Sequence, residues 1–305
     1  MSQSELKTVV ITGVTGFLGS SITRRLLDEN YNVIGLKRTT SKIWRIENIK
    51  NDPRLSLYDI DKSDPEEIFN NNKIEAIIHT ATEYGREKSP LYKILEANLI
   101  LPIRLAELGI HAGTKLFINT DSYFNKNNNS YSHLLNYSLS KKSLLIWLNK
   151  ISKKIKIINA VLEHIYGPGD APSKFVEGII RKIAVEKVEH ISLTHGHQKR
   201  DFIYIDDVVE AYSRILKFGL THEFSMKTFE IGTGESTEIN NLVKQIKILS
   251  KSPTILGFGE LPYRSDEIME SVADNAELRE QGWRPSITLK DGINIILQTY
   301  NSKAQ

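Results

Sequence analysis

The chain of 305 residues contains no cysteine. A disulfide framework, a thiolate zinc site and a cysteine nucleophile are therefore excluded. An excess of one charge is also lacking, because 40 Lys and Arg residues stand against 37 Asp and Glu residues, and the basic residues are scattered. We therefore expect neither a nucleic acid nor an anionic membrane surface as a partner. No apolar run approaches the roughly 18 residues of a membrane span, and the first residues lack a signal-peptide pattern, so we expect a cytoplasmic protein.

Short runs of β-branched residues alternate with longer amphipathic stretches from Lys7 onward. This pattern of βαβ units predicts an α/β fold with a doubly wound parallel sheet, the Rossmann arrangement. The predicted strands are residues 8–12, 32–36, 54–58, 76–80, 115–120 and 156–161. The predicted helices are residues 17–29, 91–111 with a kink at Pro102, and 133–152. A cluster of turn residues at 166–170 ends the alternation, so we place a domain boundary after residue 165 and expect a smaller C-terminal region.

A glycine-rich turn joins the first predicted strand to the first predicted helix. Gly13 permits a tight turn, Gly16 lets backbone N–H groups approach a pyrophosphate, and Gly19 lets the helix pack on the strand. A glycine turn without a ligand is the alternative, but the position of this turn within a βαβ run favours a dinucleotide. The cofactor-binding residues predicted here are Gly13, Thr15, Gly16, Phe17, Leu18 and Gly19.

The residues after the second predicted strand bear on the choice between the two nicotinamide dinucleotides. An acid about 20 residues beyond the glycine motif suits a free ribose 2′-hydroxyl, whereas a 2′-phosphate needs cations. The chain offers Lys37 and Arg38 there and no acid. We therefore expect NADP(H) rather than NAD(H), with ordinary surface charges as the alternative reading of these cations. Asp59 and Ile60, after the third predicted strand, are expected beside the adenine.

Tyr137 and Lys141 are four residues apart at the start of a predicted helix, so their side chains leave the same face. An ammonium there favours the phenolate, and we expect it to lower the pKa of Tyr137 from about 10 toward neutrality. A Tyr-x-x-x-Lys pair alone is usually structural. Thr120 gives this pair more weight, because it ends the fifth predicted strand at the sheet edge where such folds bind ligands. Thr120, Tyr137 and Lys141 are therefore the predicted catalytic residues, and Lys141 could also bind the nicotinamide ribose.

Over nearly its whole length the chain resembles the extended branch of the short-chain dehydrogenase/reductase superfamily, which contains nucleotide-sugar epimerases, dehydratases and reductases. The resemblance rests on the glycine motif, the Tyr137–Lys141 pair, Asn98, and residues 78–81, 166–169, 200–208, 231–235 and 282–285. It implies an NADP(H)-binding domain in residues 1–165, with returning segments near residues 202–232. Residues 166–305 would then form mainly a nucleotide-sugar-binding region.

The resemblance also implies particular contacts. Arg200 and Arg264 are expected to bind the diphosphate of a nucleotide sugar, because a guanidinium matches that geometry. Further expected cofactor contacts are Thr80, Ala81, Asn98, Tyr137 and Lys141, and further expected substrate contacts are Thr82, Ser122 and His164. Relatives commonly dimerise through two helices, and the extra apolar residues of the helices predicted at 91–111 and 133–152 fit a homodimer.

Departures from the family pattern narrow the function. Dehydratases of the family follow the catalytic Thr with an Asp-Glu pair, whereas Asp121 and Ser122 follow Thr120 here, which disfavours dehydration. Epimerase-reductases with a Cys/His acid-base pair are excluded because the chain has no cysteine. Residues 118–126, 136–142 and 147–148 look most like the CDP-abequose and CDP-paratose synthases. Those enzymes use NADPH to reduce the 4-keto group of a CDP-3,6-dideoxyhexose in making O-antigen sugars.

Our leading interpretation is an NADPH-dependent reductase of a nucleotide-linked 4-keto-deoxyhexose. The alternative is a nucleotide-sugar 4-epimerase, which uses the same three residues but retains a tightly bound NAD⁺. A dinucleotide-sensing regulator carries less weight, because such proteins usually lose the Tyr and the Lys. No metal is expected, since His195 and His197 lack a third ligand nearby, and His79 is interpreted as a packed or cofactor-adjacent residue.

Overall fold

The structure is a computed structural model that describes residues 6–85, 89–126 and 134–303. It divides into two compact units. The first consists of Met1–Val161 with Val209–Phe229, and the second of Leu162–Val208 with Glu230–Gln305.

The first unit is built on a parallel sheet. Its strands are β1 (Thr8–Thr12), β2 (Asn32–Lys37), β3 (Leu55–Asp59), β4 (Ile74–His79), β5 (Leu116–Ser122), β6 (Lys156–Leu162) and β11 (Met226–Ile231). In the described part of the chain these seven strands follow the order β11-β6-β5-β4-β1-β2-β3. This is the doubly wound order, so the predicted fold class is confirmed.

The central strands lie within the core, as strands covered on both faces do. Residues 9–11, 76–78 and 116–118 are completely buried apolar runs. β4 begins two residues before its predicted start because Glu75, which argues against a buried strand, is neutralised by Lys115 at 2.7 Å. The predicted strands otherwise match the observed ones to within two residues.

The helices of this unit are α1 (Phe17–Asp28), α2 (Pro65–Asn71), α3 (Leu91–Leu95), α4 (Leu101–His111), α5 (Leu135–Ile151) and part of α7 (Ile205–Thr221). The predicted helix 91–111 is interrupted by a π-helical turn, Glu96–Ile100. Pro102 accounts for it, because proline has no N–H to donate to the carbonyl of Asn98. α2 is not among the helices predicted from the sequence, although Asp64 caps it by accepting the Glu66 N–H at 3.0 Å. The start of the helix predicted at 133–152 lies outside the described residues.

The second unit contains short strands in small sheets. Its strands are β7 (His164–Tyr166), β8 (His190–Leu193), β9 (Lys199–Arg200), β10 (Phe202–Tyr204), β12 (Thr237–Glu238), β13 (Ile255–Phe258) and β14 (Glu270–Ser271). Its helices are α6 (Phe175–Ile180), the start of α7, α8 (Ile239–Ser250), α9 (Ala276–Glu280) and α10 (Leu289–Lys303). Residues 162–208 belong to this second unit, in which β7 pairs in parallel with β10. The domain boundary predicted after residue 165, with returning segments near residues 202–232, would place residues 162–165 and 202–208 in the first unit. No described helix of either unit is long and apolar enough to cross a membrane.

Two buried acids organise this second unit. The Asp201 carboxylate accepts N–H bonds from Thr233 and Gly234 at 2.8 and 2.9 Å. Asp207 accepts the Ser286 N–H at 2.9 Å, and its backbone carbonyl accepts the indole N–H of Trp283 at 3.0 Å. Several segments that carried the family resemblance therefore hold the unit together by saturating buried polar groups.

A polar cluster attaches α7 to α1 in the first unit. The Glu29 carboxylate accepts hydrogen bonds from Arg25 at 2.5 Å and Ser213 at 2.7 Å, and Lys217 lies 2.9 Å away. Burial alone would raise the pKa of Glu29, but these bonds outweigh burial and leave that pKa below its ordinary value.

We expect Glu29→Gln to lower the free energy of unfolding by about 1–3 kcal/mol at pH 7, because it leaves these donors without their charged acceptor. Since folding lowers the pKa of Glu29, the stabilisation is complete above the unfolded-state value of about 4.3 and is lost as pH falls through the folded-state value. Urea unfolding at neutral and acidic pH measures both effects. Glu47→Gln, which removes an exposed pair with Lys50, is the matched control and should change stability little. Equal losses in the two variants would contradict this account.

Candidate active site

The glycine-rich turn leaves no room for side chains. Gly13 has a φ of 67°, in the left-handed region that favours glycine. A Cβ atom on Gly19 would lie 2.2 Å from the Gly13 carbonyl oxygen, and one on Gly16 would lie 3.0 Å from it. No described side chain caps the start of α1 at Phe17, and its first turn holds no acid. The predicted residues therefore fit a pyrophosphate, because uncapped N–H groups at a helix N-terminus attract anions.

The ends of β1 and β4 are tied together beside this turn. Thr12 Oγ1 accepts the N–H groups of Thr80 and Ala81, both at 3.1 Å, so its hydrogen is donated to His79 Nδ1 at 2.9 Å. Burial, with a smaller effect from Lys141, lowers the pKa of His79 well below its ordinary value. A neutral, packed His79 therefore holds Thr80 and Ala81, the expected cofactor contacts, against the glycine turn.

The cations after β2 are partly engaged. Lys37 forms an ion pair with Asp59, the residue expected beside the adenine, and Asp59 is followed by Ile60. Arg38 is exposed. The predicted residues Lys37 and Asp59 therefore lie opposite each other on neighbouring strands, and the ion pair between them is not apparent from the sequence.

Arg45 is a candidate that sequence reasoning missed. Its guanidinium lies 4.2 Å from the centre of the exposed Trp44 ring, and its Nη1 donates to the carbonyl of Thr15 at 3.4 Å. The residue therefore brings a cation to the glycine turn from a short 3₁₀ turn, Trp44–Ile46. No motif marks this position, because only the fold brings it close to Thr15.

β5 and α5 bring the three predicted catalytic residues together. The buried Lys141 donates from Nζ to the backbone carbonyl of Thr120 at 2.8 Å. The hydroxyl of Thr120 hydrogen-bonds with Tyr212 at 2.7 Å, and the hydroxyl of Tyr137 with the side chain of Ser122. Two tyrosines and two aliphatic hydroxyls thus form neighbouring pairs at the end of β5.

Aromatic rings cover the Tyr137 ring. Tyr84 stacks on it with centroids 5.0 Å apart, and Phe124 meets it edge-on at 6.4 Å. Tyr137 is only 4% exposed as a result.

The pKa of Tyr137 is raised well above its ordinary value, first by burial and then by Tyr84 and Asp121. The sequence predicted the opposite direction, on the ground that Lys141 would favour the phenolate. The cause of the difference is burial, which also lowers the pKa of Lys141 to about 8. The site therefore holds Tyr137 in its protonated form.

Asp121, the acid next to Thr120, is fully engaged within the protein. Its Oδ1 accepts the Ser122 N–H at 2.8 Å and the Asn125 amide at 2.6 Å, and its Oδ2 accepts the Asn159 amide at 3.1 Å. Three N–H donors fix the position of this buried carboxylate.

Asn98 has a structural use that the sequence did not indicate. Its amide donates to Ser140 Oγ at 3.0 Å and to the Glu83 carbonyl at 2.8 Å. Its oxygen accepts the hydroxyl of Thr82, an expected substrate contact, at 3.2 Å. Asn98 therefore joins the loop after β4 to α5, and its expected contact with the cofactor stays a prediction.

Three further expected substrate contacts, Arg200, Arg264 and His164, lie in the second unit, and the two arginines share one carboxylate. Arg200 donates to Glu267 at 2.5 Å, and Arg264 lies 4.0 Å from the same side chain. Burial, then the charges of Arg200 and Lys174, lower the pKa of His164 to about 3, so this imidazole is neutral. Within the residues that the structure describes, no three of His, Asp and Glu are grouped to hold a metal ion, and this holds around His195 and His197.

A profile of the NAD dependent epimerase/dehydratase family matches residues 9–232. A CDP-abequose synthase of Salmonella muenchen is 36% identical over 95% of this chain and 97% of that protein. A putative UDP-glucose 4-epimerase of Methanocaldococcus jannaschii is 27% identical over 95% of this chain and 97% of that protein. The solved UDP-glucose 4-epimerase of Thermotoga maritima has a TM-score of 0.82 and 22% identity, covering 98% of this chain and 100% of its own. At that identity it shows the shared fold.

The lowered pKa of Lys141 predicts a pH effect on dinucleotide binding. Below about pH 8 the ammonium can donate charged hydrogen bonds to a ribose, and above it the neutral amine cannot. We expect the Kd for NADPH, followed by nicotinamide fluorescence, to rise several-fold as pH passes through this range. Lys141→Arg stays charged and should lose this rise, whereas the neighbouring Lys142→Arg should keep it. A rise of the same size in Lys141→Arg would contradict the assignment.

Proposed function

Because the chain belongs to the NAD dependent epimerase/dehydratase family, an enzyme family that binds a nicotinamide dinucleotide, we propose that it is an NADPH-dependent 4-ketoreductase. Its proposed substrate is a nucleotide-linked deoxyhexose similar to CDP-4-keto-3,6-dideoxyglucose, in the biosynthesis of O-antigen or other surface polysaccharide sugars. Full-length similarity to the Salmonella CDP-abequose synthases, at 36% and 33% identity, supports this class of substrate.

The observation that carries the proposal is the arrangement at the end of β5, where Lys141 binds the Thr120 carbonyl and the buried Tyr137 lies one helical turn from Lys141 on α5. Reduction of a ketone needs one hydride at carbon and one proton at oxygen, and the dinucleotide supplies the hydride. Tyr137 supplies the proton, and its raised pKa keeps it in the donor form before reaction. Thr120 orients the carbonyl oxygen, and Lys141, which is fixed on the Thr120 carbonyl, holds the ribose and stabilises the resulting phenolate.

The contacts of Asp121 support reduction over dehydration. Loss of water would need a free acid beside Thr120 to protonate the departing hydroxyl, and a base as its partner. Asp121 instead accepts hydrogen bonds from Ser122, Asn125 and Asn159. These contacts direct both carboxylate oxygens toward protein donors instead of toward a departing hydroxyl group.

NADPH is the proposed cofactor because three cations lie near the end of β2 and the glycine turn. Arg38 is exposed, and Arg45 reaches the Thr15 carbonyl. Lys37 pairs with Asp59, so it meets a 2′-phosphate only by sharing or exchanging this partner. Arg200 and Arg264 are proposed to bind the diphosphate, and His164 the sugar, as a neutral hydrogen-bonding group.

The decisive experiment offers the purified protein a panel of CDP-, UDP- and dTDP-linked 4-keto-deoxyhexoses with NADPH or NADH and follows nicotinamide absorbance. We expect stoichiometric oxidation of NADPH with a CDP-linked substrate and much slower turnover with NADH. Tyr137→Phe should lower kcat by at least about a hundredfold and leave NADPH binding intact, because it removes the proton donor alone.

Cofactor released from the freshly purified protein separates reduction from epimerisation. Retained NAD⁺, with interconversion of nucleotide sugars and no net oxidation of NADPH, would replace the reductase with the 4-epimerase that the similarity to the Methanocaldococcus protein favours. Full activity of Tyr137→Phe would remove the proposed proton donor.

We also propose a homodimer formed through α3, α4 and α5. These neighbouring helices, with the π-helical turn between the first two, leave large apolar side chains exposed to solvent. They are Leu91, Tyr92, Leu95, Ile100, Leu135, Leu139, Ile146 and Trp147. A grouped apolar surface of this kind is typical of an interface, and a second copy of the chain is the proposed occupant.

Ile146→Glu should convert the dimer to a monomer, because it places a charge in the proposed interface. Ile146 is 71% exposed in the single chain, and Ile248 on α8 is 73% exposed. Ile248→Glu is therefore the matched control and should leave the mass unchanged in sedimentation equilibrium. A monomeric wild type, or a dimer that survives Ile146→Glu, would contradict the proposed interface.

A further inference from the structure

Tyr212 is a buried tyrosine on α7 whose hydroxyl lies at the catalytic end of β5. It is 1% exposed, and its hydroxyl oxygen is 2.7 Å from Thr120 Oγ1. Among the residues that the structure describes, the Tyr212 hydroxyl hydrogen-bonds with Thr120 alone. A tyrosine 92 positions away in sequence therefore contacts the residue that is expected to orient the substrate carbonyl.

The direction of this hydrogen bond follows from the chemistry of the two hydroxyls. A phenolic O–H is a stronger acid than an aliphatic one, so it is the better donor, and its oxygen is the poorer acceptor. Burial raises the pKa of Tyr212 above its ordinary value, so the phenol keeps its proton. This difference in acidity favours Tyr212 as the donor and Thr120 Oγ1 as the acceptor, which leaves the hydrogen of Thr120 to point to another acceptor.

The helix that carries Tyr212 is fixed in the first unit. Ser213, the next residue, donates to the Glu29 carboxylate at 2.7 Å, and Lys217 lies 2.9 Å from the same carboxylate. Ala211 and Ile215 are completely buried. These contacts and the burial of its neighbours fix the part of α7 that carries Tyr212, as is required of a group that orients another residue.

A role as a second proton donor does not fit this geometry. A donor must regain its proton after each turnover, and Tyr212 has no second described hydrogen-bond partner that could return one. We propose that Tyr212 is a positioning residue. It does not touch the substrate itself, and it turns the hydroxyl hydrogen of Thr120 toward the substrate carbonyl oxygen. The inference rests on the proposed function only in assigning that carbonyl contact to Thr120.

A double-mutant cycle between Tyr212→Phe and Thr120→Val tests the proposal. Tyr212→Phe keeps the ring and removes the hydroxyl, and we expect kcat to fall about tenfold, because a misdirected donor loses part of its stabilisation of the transition state. The KM for NADPH should stay within about twofold. In the Thr120→Val background, Tyr212→Phe should change kcat by less than about twofold, since the group on which it acts is gone.

Tyr31→Phe is the matched control, because it removes the hydroxyl of another buried tyrosine of the same unit, in the turn before β2. It should leave kcat unchanged. Equal kcat losses from Tyr212→Phe in the wild-type and Thr120→Val backgrounds, or no loss in either, would overturn the proposal.

A readout without substrate keeps this test separate from the proposed function. The hydrogen bond predicts that Tyr212→Phe and Thr120→Val each lower the midpoint of thermal unfolding, and that their effects are not additive. Additive shifts would overturn the inference whatever the substrate is. A wild type that reduces no member of the sugar panel, but shows this coupling, would overturn the proposed function and leave the contact between Tyr212 and Thr120 established.

Discussion

The hydrogen bond from the Lys141 ammonium to the Thr120 carbonyl joins the two elements that carry every candidate catalytic residue. Lys141 is almost completely buried, and a buried cation is costly unless it is paired and hydrogen-bonded. The Thr120 carbonyl satisfies one of its donors, and Asp121 provides the nearby negative charge that opposes the loss of its proton. The position of α5 against β5, and with it the position of Tyr137, therefore depends on keeping this ammonium in place.

Local rules were enough to identify the parts of the site that lie close together in sequence. The glycines follow from the steric limits of one turn, and Tyr137 with Lys141 follows from the period of a helix. Tyr212, Tyr84 and Arg45 reach the site through the fold, and no spacing in the sequence marks them. The π-helical turn before Pro102 could be predicted only in part. The proline indicates that the helix is irregular there, but it does not indicate a π-helical turn.

The direction of the Tyr137 pKa depends on burial, which a motif does not reveal. A Tyr-Lys pair in water would favour the phenolate, but the rings of Tyr84 and Phe124 exclude solvent from Tyr137. In an epimerase the same tyrosine first removes a proton, and the positive charge of an oxidised nicotinamide helps it to ionise. In a ketone reduction the tyrosine gives up one proton, and a protonated tyrosine is the form that this transfer needs.

Local neutralisation explains how a chain with a net charge of only +3 can present several anion-binding candidates. Lys37 pairs with Asp59, and Arg200 pairs with Glu267, which also lies 4.0 Å from Arg264. The carboxylates orient Lys37 and Arg200, which are largely shielded from solvent, so these two side chains would lose little entropy on binding a phosphate. A phosphate that binds at Lys37 or Arg200 would have to displace or share a carboxylate partner. This exchange favours a multiply charged phosphate over a weaker anion, because only the stronger electrostatic attraction offsets the loss of an existing ion pair.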